Sequence, residues 1–358
     1  MRIVHADSAR NWRGGQNQVL LTSSGMAARG HEIWLACQDG GPLEARARAA
    51  GLAVRPMAFH GDFSPGAVVG LARLVREAQP DVVHLHDPHA VSAGLAASTL
   101  APGFRHIASR RVDFPLRGPL SRWKYGACRR VIAVSRAIAS QLEADGVPRE
   151  RIRLVYEGVP DRAAVANGRR ALQELGVPLE APVVGNVAAL TGHKDHVTLL
   201  EAAAAVKRRL SEARFVIVGD GELRGALEER SRALSLQDRV VFAGFRDDLD
   251  RLMPAFTVFC LSSHLEGLGT SLLDAMAFAR PVVATAAGGI PEAVEDGVTG
   301  RVVPPRDPRA LAAALVEVLE DPARRRAMGA AGRARFEERF TADRMVEQTL
   351  AVYAEREP

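Results

Sequence analysis

Short apolar runs alternate with longer amphipathic stretches along nearly the whole chain. In the first half these runs predict strands at residues 2–6, 32–37, 54–57, 81–86, 106–111, 131–135 and 152–155. In the second half they predict strands at residues 182–187, 214–219, 240–243, 256–261 and 281–285. Helices between such runs are typical of parallel sheets with right-handed crossovers. The pattern therefore predicts an α/β protein whose ligands bind at the carboxyl ends of its strands.

The length of the chain predicts two domains, because 358 residues exceed one usual hydrophobic core. The predicted connection is residues 156–160 together with the polar, arginine-rich residues 161–170 that follow. We place the end of the first domain at residue 158.

Composition places the chain among soluble globular proteins, with 47% apolar and 25% charged residues. No apolar run approaches the roughly 18 residues that a membrane span needs, and the start lacks the apolar segment of a signal peptide. Cys37, Cys128 and Cys260 are too few and too dispersed for a disulfide framework or a cysteine-based zinc site. We therefore expect a cytoplasmic protein.

Net charge, at +5, permits anionic partners but identifies none. Because the sequence has no zinc finger, helix-turn-helix or RNP-type aromatic pattern, we do not expect nucleic acid as a partner. The most basic segment is Arg105–Arg130, which also contains Phe114, Trp123 and Tyr125. Basic residues interleaved with aromatic ones suit an anionic membrane surface or a phosphorylated glycolipid, and a solvated helix face is an equal alternative.

The most informative stretch is residues 261–291, LSSHLEGLGTSLLDAMAFARPVVATAAGGIP. It predicts a strand, a glycine-containing loop, a helix and another strand. A loop that opens a helix presents unpaired N–H groups and the positive end of the helix dipole, which suits phosphate. Glu266 lies in this loop and Asp274 lies eight residues later, a helical rise of about 12 Å. That distance is close to the span from a sugar through a diphosphate to a ribose.

These residues predict a nucleotide-sugar site. Backbone amides of Leu268, Gly269 and Thr270 would hold phosphate, while Asp274 would reach ribose hydroxyls and Glu266 would face the sugar. The alternative is an ordinary strand–helix–strand crossover with a capped helix.

The segment EGLGTSLLDAMAFARPVVAT resembles the E-x7-E donor-binding signature of family-4 glycosyltransferases. The second carboxylate of that signature is usually Glu, and here it is Asp274. The resemblance covers nearly the whole chain and is stronger in the second half. It implies the GT-B fold, in which two Rossmann-like parallel-sheet domains face a cleft. The expected domains are residues 1–158 with a return helix in 340–358, and residues 159–339.

The resemblance also implies further donor-binding residues. Gly14, Gly15 and Gln16 form a glycine-rich loop after the first strand, a phosphate-type loop by its position as well. Lys194 matches the family's phosphate-binding lysine, and its usual arginine partner is replaced by Ala189. The remaining implied positions are His193, the glycine turn Gly219 and Gly221, the base shelf Phe245 and Arg246, and Gly267 in the signature loop.

The resemblance breaks at a position where many family members carry a histidine beside the donor sugar. Arg110, or else Arg111, stands there instead. Because an arginine cannot act as a base near neutral pH, a histidine-based mechanism is not expected. The predicted catalytic residues are therefore Lys194, Glu266 and Arg110.

A group of histidines follows the fourth predicted strand. His84 and His86 share one face of that strand, and with Asp87 and His89 they would suggest a metal site. We favour a buried His84, with His86, Asp87 and Arg111 meeting the acceptor. GT-B enzymes generally need no catalytic metal, so the resemblance implies neither a metal nor a cofactor.

The resemblance thus predicts a retaining transferase of the bacterial cell-surface glycan type. It would move a sugar from a UDP- or GDP-linked donor to a hydroxyl group. The basic segment Arg105–Arg130 favours a glycolipid or polysaccharide precursor as the acceptor and, with it, a peripheral position at the inner face of the cytoplasmic membrane. The alternatives are a GT-B sugar-nucleotide epimerase and a non-catalytic nucleotide-sugar-binding protein. A nicotinamide dehydrogenase is not expected, because no GxGxxG with a following acid appears near the start.

Overall fold

A computed structural model describes residues 1–355 of the chain. The chain divides into two compact units, one formed by residues 1–158 with the final helix and the other by residues 159–341. Each unit is an α/β structure built on its own parallel sheet. We call them unit 1 and unit 2.

Unit 1 contains a seven-stranded parallel sheet in the order β3-β2-β1-β4-β5-β6-β7. Its strands are β1 (Arg2–Asp7), β2 (Glu32–Gln38), β3 (Ala53–Met57), β4 (Val82–Leu85), β5 (Arg105–Arg110), β6 (Arg130–Ala133) and β7 (Ile152–Leu154). Its helices are α1 (Gly14–Ala27), α2 (Pro42–Ala49), α3 (Pro65–Ala78), α4 (Pro88–Leu100), α5 (Gly118–Ala127), α6 (Arg136–Ala144) and, at the end of the chain, α15 (Ala342–Ala354).

The sheet of unit 1 is buried on both faces. Val4 and Val83 pack into a core shared with α3, α4, α5 and α6. Ile3 and Val82, their neighbours along the strands, pack instead with α1 and α15. Successive strand residues point to opposite faces, so continuous apolar runs are what a sheet covered on both sides requires.

Helix α15 is bound to unit 1 by both packing and charge. A Cβ at Gly25 of α1 would lie 2.7 Å from Val346 Cγ2, so the two helices approach too closely for any larger residue. Just after the helix, Glu355 accepts hydrogen bonds at 2.7 Å from both Arg130 and Arg153. The last helix of the chain therefore belongs to the core of the first unit.

Unit 2 contains a six-stranded parallel sheet in the order β10-β9-β8-β11-β12-β13. Its strands are β8 (Val183–Val187), β9 (Arg214–Val218), β10 (Val240–Gly244), β11 (Val258–Leu261), β12 (Val282–Thr285) and β13 (Gly300–Val303). Its helices are α7 (Gly168–Glu174), α8 (His196–Arg209), α9 (Arg224–Ala233), α10 (Leu249–Leu252), α11 (Thr270–Ala277), α12 (Ile290–Ala293), α13 (Pro308–Glu320) and α14 (Pro322–Arg339).

The α/β class and the two parallel sheets agree with the sequence prediction, and most strand ends differ from it by one or two residues. Helices α4, α7 and α9 were not predicted. Helix α4 has the sequence PHAVSAGLAASTL, which is small or apolar almost throughout, so it has no polar face from which to recognise a helix. Helix α7 lies in a segment that its arginines made look like a linker.

The basic surface predicted for residues 105–130 is wrong in part. The Lys124 ammonium is buried and donates to Asp62 at 3.1 Å and to the carbonyl of Pro88 at 3.0 Å. Arg130 is also buried, and it forms its ion pair with Glu355. Sequence alone cannot show that a carboxylate distant along the chain neutralises a charge. The basic residues of this segment that remain exposed include Arg117 and Arg122.

No helix within residues 1–355 is long and apolar enough to cross a lipid bilayer.

A test of the packing in unit 2 compares two glycines. A Cβ at Gly185, in β8, would lie 2.0 Å from the Phe256 ring, so Gly185→Ala should destabilise unit 2 by about 3 kcal/mol. Gly225, in α9, has no atom near its Cβ position, so Gly225→Ala should be neutral or add about 0.5 kcal/mol. Differential scanning calorimetry measures both changes, and equal melting temperatures would contradict the packing described.

Candidate functional site

The carboxyl ends of the strands in unit 2 bring two predicted site loops together. After β8, a short 3-10 turn spans Gly192–Lys194, and the loop after β11 begins at Ser262. The N–H of His264 donates to the carbonyl of His193 at 2.9 Å, and the Ser262 hydroxyl donates to the carbonyl of Lys194 at 2.9 Å. These bonds fix the backbone of the lysine turn against the loop that carries Glu266.

Lys194 and Glu266 form an ion pair in this position. The Ser263 hydroxyl donates a further hydrogen bond to Glu266 at 3.2 Å. The side chains of Lys194 and Glu266 are 18% and 12% exposed, so both remain partly accessible to solvent. The two predicted catalytic residues of unit 2 are therefore direct neighbours.

Helix α11 begins beside this ion pair without a side-chain cap. Its N-terminal flanking residue is Gly269, whose φ of 91° is a left-handed conformation that favours glycine. Within residues 1–355, no group accepts a hydrogen bond from the N–H of Leu268, Gly269 or Thr270. An anion such as phosphate would satisfy these donors and would interact favourably with the helix dipole.

Asp274 lies one turn further along α11. Burial raises the pKa of its carboxyl to about 6, and the nearby charge of Arg162 opposes that rise. Part of the residue is still exposed to solvent. Asp274 therefore lies on the helix whose start carries the uncapped N–H groups. The prediction places phosphate at those N–H groups and ribose at Asp274.

The predicted glycine turn after β9 is required by the fold itself. A Cβ at Gly219 would lie 2.0 Å from the carbonyl oxygen of Ala188, and one at Gly221 would lie 2.5 Å from that of Leu190. The N–H of Leu190 also donates to the carbonyl of Asp220 at 3.0 Å. Both glycines therefore allow the turn after β9 to approach the loop that leads to Lys194.

The remaining predicted donor residues of unit 2 differ in how available they are. Phe245 is 55% exposed, which leaves its ring free for contact with a ligand. Arg246 is held in a two-point ion pair with Asp248, at 2.8 and 2.6 Å. Gly267 accepts a hydrogen bond from the N–H of Gly289 at 3.2 Å, which joins the loop after β11 to the loop after β12.

At the carboxyl edge of the sheet in unit 1, Asp7 ends β1 and is almost completely buried. Gln16, near the start of α1, donates to both of its carboxylate oxygens at 3.3 and 3.2 Å. Burial raises the pKa of Asp7 to about 6, with a smaller contribution from the negative charge of Asp87, while Arg111 opposes the shift. Gly14 and Gly15 open α1 without a side-chain cap. The predicted glycine-rich loop thus lies beside an acid that accepts a proton near pH 6.

Three buried histidines lie next to this acid along the sheet. His86 Nε2 is 2.8 Å from His5 Nδ1, and His84 hydrogen-bonds both to Tyr353 and, at 2.7 Å, to Ser109. Burial lowers the pKa of His5 to about 3 and lowers those of His84 and His86 well below the ordinary value, and the positive charge of Arg111 adds to each shift. The three rings are therefore neutral near pH 7.

The histidine cluster differs from the metal group that the sequence suggested. His84 and His86 come together with His5, and the ligand atoms of the three lie within 4.8 Å of one another. Asp87 and His89 are not part of this group. Both nitrogens of His84 already have hydrogen-bond partners, which gives the cluster a structural explanation without an ion.

Arg111 connects the histidines to a second acid. Its guanidinium lies 3.1 Å from His86 Nδ1 and 3.2 Å from Glu157 Oε1. Gly15 is adjacent, because its Cβ position lies 4.0 Å from Arg111 Cδ. Arg111, His86 and the glycine-rich loop of unit 1 therefore share one place at the sheet edge.

Two predicted residues of unit 1 have structural roles instead. Arg110 is only 7% exposed; it donates to the carbonyl of Phe114 and lies over the Tyr125 ring. Asp87 is the cap of α4, since it accepts from the N–H groups of His89 and Ala90 and from Ser8. The catalytic role predicted for Arg110 is therefore corrected, because its side chain is used inside the fold. Asp87 has little remaining capacity to bind an acceptor substrate, because both of its carboxylate oxygens already accept hydrogen bonds.

Comparison with known proteins adds family information to this geometry. The family model described as Glycosyltransferase Family 4 matches residues 12–162, and that described as Glycosyl transferases group 1 matches residues 169–335. In the crystal structure of Anabaena Alr3699/HepE in complex with UDP-glucose, 99% of the chain aligns with 98% of this chain, with a TM-score of 0.88 and 22% identity. The chain is a glycosyltransferase with the GT-B fold.

Curated relatives of this glycosyltransferase extend across both units. The N-acetyl-alpha-D-glucosaminyl L-malate synthase of Bacillus anthracis is 25% identical over 79% of this chain and 77% of its own length. The lipopolysaccharide core biosynthesis glycosyltransferase LpsE of Rhizobium meliloti is 29% identical over 79% of this chain and 78% of its own length.

Sequence reasoning missed three residues at the site edge of the glycosyltransferase, namely His5, Asp7 and Glu157. Asp7 is the last residue of β1, and Glu157 follows shortly after β7. Because ligands of parallel sheets bind at the carboxyl ends of strands, a polar residue at the end of an apolar run is the signal that would have found Asp7 and Glu157. His5 lies within β1 and carries no such signal.

The buried titrating groups of unit 1 predict how its stability depends on pH. Below its ordinary pKa of 6.5 each of the three buried histidines takes up a proton in the unfolded chain but not in the folded one, so stability falls as the pH falls. Asp7 opposes this between about pH 6 and its ordinary value of 3.8, because its folded form is the one that holds the proton. The histidines outnumber Asp7, and the lowered pKa of His106 acts in the same direction, so the free energy of unfolding should fall as the pH is lowered from 6 to 4.

Tryptophan fluorescence during urea unfolding measures this change in the intact protein. All three tryptophans, Trp12, Trp34 and Trp123, lie in unit 1, so the signal reports that unit alone. The matched variant is His5→Asn, which should reduce the slope by about one proton. A free energy of unfolding that stays constant from pH 6 to pH 4 would exclude neutral, buried histidines.

Proposed function

We propose that this glycosyltransferase moves a sugar from a nucleotide-diphospho-sugar to a hydroxyl group, with retention of the anomeric configuration. The observation that carries the proposal is the Lys194–Glu266 pair beside the uncapped start of α11. It combines a cation, free N–H donors and a carboxylate within one small region of unit 2. A diphosphate joined to a sugar would use all three groups, the cation and the N–H donors for its phosphate oxygens and the carboxylate for its sugar hydroxyls.

In this proposal the leaving diphosphate is stabilised by Lys194 and by the N–H groups of Leu268, Gly269 and Thr270. Negative charge develops on the phosphate oxygen as the bond to the sugar breaks, and donors already fixed in place stabilise that charge without reorganisation. The hydrogen bonds between the lysine turn and the loop after β11 provide this fixed arrangement. Without the donor, Glu266 satisfies the lysine ammonium.

Glu266 would orient the sugar and Asp274 the ribose. A carboxylate accepts hydrogen bonds from hydroxyl groups, and both acids lie on the segment that opens into and continues through α11. Asp274 is the shorter acid at its position, so the ribose would bind nearer to the helix than a glutamate would allow. Neither a metal nor a cofactor is assigned a role.

We propose a saccharide or glycolipid acceptor bound through unit 1. The supporting observations are the polar groups at its sheet edge, where Asp7, Gln16, His86 and Arg111 lie together. Asp7 and His86 are buried and already hydrogen-bonded, so Arg111, which is partly exposed, is the group of this set that would meet the acceptor. LpsE, a relative named for lipopolysaccharide core biosynthesis, supports an acceptor of this class.

We further propose that an anionic membrane surface binds unit 1 at the segment that includes α5. Phe114, Leu120 and Trp123 are exposed there by 40%, 47% and 57%. Arg117 and Arg122, also exposed, lie among them. Exposed aromatic and aliphatic side chains beside arginine match the interface of a bilayer with anionic lipids. This set replaces the buried Lys124 and Arg130 of the sequence prediction.

Donor binding is tested by calorimetric melting of the protein with UDP or GDP. A nucleoside diphosphate at 100 times its dissociation constant should stabilise unit 2 by about 2.7 kcal/mol. Lys194→Ala should remove most of this effect and lower kcat by roughly 100-fold. The control is Lys207→Ala, whose lysine is on α8 and pairs with Asp238. Equal nucleotide stabilisation and turnover in both variants would exclude the proposed site.

Retention and the epimerase alternative are tested on the products of the reaction. Proton NMR of the first product formed should show the same anomeric configuration as the donor sugar. A product of opposite configuration would contradict retention, while release of nucleotide with an epimerised sugar and no acceptor would indicate an epimerase.

Membrane binding is tested by sedimentation with vesicles of phosphatidylcholine containing phosphatidylglycerol. The double variant Arg122→Glu with Trp123→Ala should lose at least about nine-tenths of vesicle binding, because it removes the most exposed aromatic ring and an adjacent charge. Arg149→Glu is the control, since this arginine is 87% exposed and lies outside the segment. Unchanged sedimentation of the double variant would remove the membrane from the proposal.

A further inference from the structure

Unit 2 has a cavity of about 440 Å³ at the edge of the sheet opposite to the Lys194–Glu266 pair. Phe256 and Thr257, which precede β11, form part of its wall, and so do Ala279 and Pro281, which precede β12. Since these strands are parallel, residues before them lie at the amino ends of the strands, whereas Glu266 follows the carboxyl end of β11. The cavity is therefore separate from the candidate donor site.

Four arginines, Arg169, Arg280, Arg325 and Arg326, line this cavity, and no acidic residue is among the described residues of its wall. Within residues 1–355, none of the four forms an ion pair with a carboxylate. By contrast, the charge of Arg333 is neutralised by a two-point ion pair with Asp161, in which both N···O distances are 2.7 Å. The four arginines of the cavity thus lie together without a carboxylate partner of this kind among the described residues.

The electrostatic environment of the cavity is unfavourable without an anion. Burial lowers the pKa of the Arg280 guanidinium, and the charge of Arg169 adds to the effect. Burial lowers the pKa of Arg325 as well, the charge of Arg326 adds to the effect, and the negative charge of Asp321 opposes it. Arg280 and Arg325 are partly buried, whereas Arg169 and Arg326 are exposed. Like charges that lie close together repel each other, and a bound anion would relieve that repulsion.

A purely structural role explains only part of this arrangement. Arg169 donates to the carbonyl of Ala181 at 2.9 Å. Arg280 donates to the carbonyls of Phe278 at 3.0 Å and Phe256 at 3.3 Å, and Arg325 donates to those of Leu319 and Val318. Each guanidinium has five N–H donors, so these bonds leave several unused. Arg326, an exposed residue of α14, makes no such bond among the described residues, so its guanidinium is available to a ligand.

We propose that this cavity binds a compact phosphorylated anion, held by Arg169, Arg280, Arg325 and Arg326. The volume accommodates a small ligand with two phosphoryl groups, and planar guanidinium groups match the geometry of phosphate oxygens. The ligand is either a free phosphorylated metabolite or the phosphorylated headgroup of a lipid. The site extends beyond the proposed transfer reaction and does not depend on it.

Isothermal titration with inorganic pyrophosphate, without divalent metal, tests the site in the full-length protein. Wild-type protein should bind pyrophosphate, and Arg326→Gln should weaken binding at least about tenfold, as expected for a lost charge-assisted contact. Because Arg326 makes no bond within the fold, its variant should keep the wild-type melting temperature. Arg325→Gln provides a second variant, and its folding is checked by circular dichroism because its arginine does bond to the backbone.

Two control variants separate this site from the donor site and from general charge. Arg170→Gln removes an arginine of α7 that is 77% exposed and next in sequence to Arg169, and it should leave binding unchanged. Lys194→Ala removes the cation of the donor site; it should abolish only the pyrophosphate bound there and leave the binding that depends on Arg326 unchanged. Loss of pyrophosphate binding in Lys194→Ala alone, with Arg326→Gln unaffected, would overturn the proposal and assign the phosphate to the donor site.

The source of the phosphoryl group is tested with vesicles of phosphatidylcholine, with and without phosphatidic acid. Binding to phosphatidic acid vesicles that Arg326→Gln reduces at least about fivefold would identify a lipid headgroup, whereas pyrophosphate binding alone would identify a free metabolite. Failure of wild-type protein to bind either probe, or equal binding by wild type and Arg326→Gln, would overturn the proposed site.

Discussion

Parallel pairing of the strands is the constraint on which the rest of the structure depends. In each sheet every strand ends at the same edge, so loops that are distant in sequence meet there. The loop after β8 and the loop after β11 are separated by about seventy residues, yet one backbone hydrogen bond and one from the Ser262 hydroxyl join them and set Lys194 beside Glu266. The glycines after β9 belong to the same arrangement, because only a residue without a side chain allows that turn to approach the lysine loop. The candidate site of unit 2 is thus a consequence of the sheet rather than of any single motif.

The cost of burying charge explains how the polar residues are distributed. In unit 1 the buried histidines of the sheet are neutral. Asp7 accepts hydrogen bonds from Gln16, and the Lys124 ammonium donates to surrounding oxygen atoms. Each of these groups avoids an uncompensated charge in a poorly solvated place. In unit 2 Lys194 follows the same rule through its pair with Glu266, whereas Arg280 and Arg325 lie partly buried at the cavity without a carboxylate partner among the described residues. The proposal that an anion binds at this cavity rests on that departure, since an external ligand would provide the missing charge.

The sequence was most informative where function requires a local pattern. The order of strands and helices followed from alternating apolar runs, and Glu266, Asp274 and the glycines between them lie in one continuous segment. The sequence was least informative where one residue type can lie either exposed at the surface or buried in an ion pair. Arginine is a surface charge in most sequence contexts, but Arg110 is buried against Tyr125 and Arg130 pairs with Glu355, more than two hundred residues away in the chain. Helix α4 was missed for a related reason, because a segment buried on nearly all sides carries no amphipathic period.

The sequence by itself determined the α/β class, the parallel sheets and the residues able to form a phosphate-binding helix start, because these depend on the spacing of apolar residues and glycines over short distances. The tertiary structure decided which of the many charged groups are accessible and which are neutralised. It placed His5 beside His86, Arg111 beside Glu157 and four arginines around one cavity. Such contacts join distant parts of the chain, and they depend on how strands are ordered in the sheet and on which partner each buried charge finds.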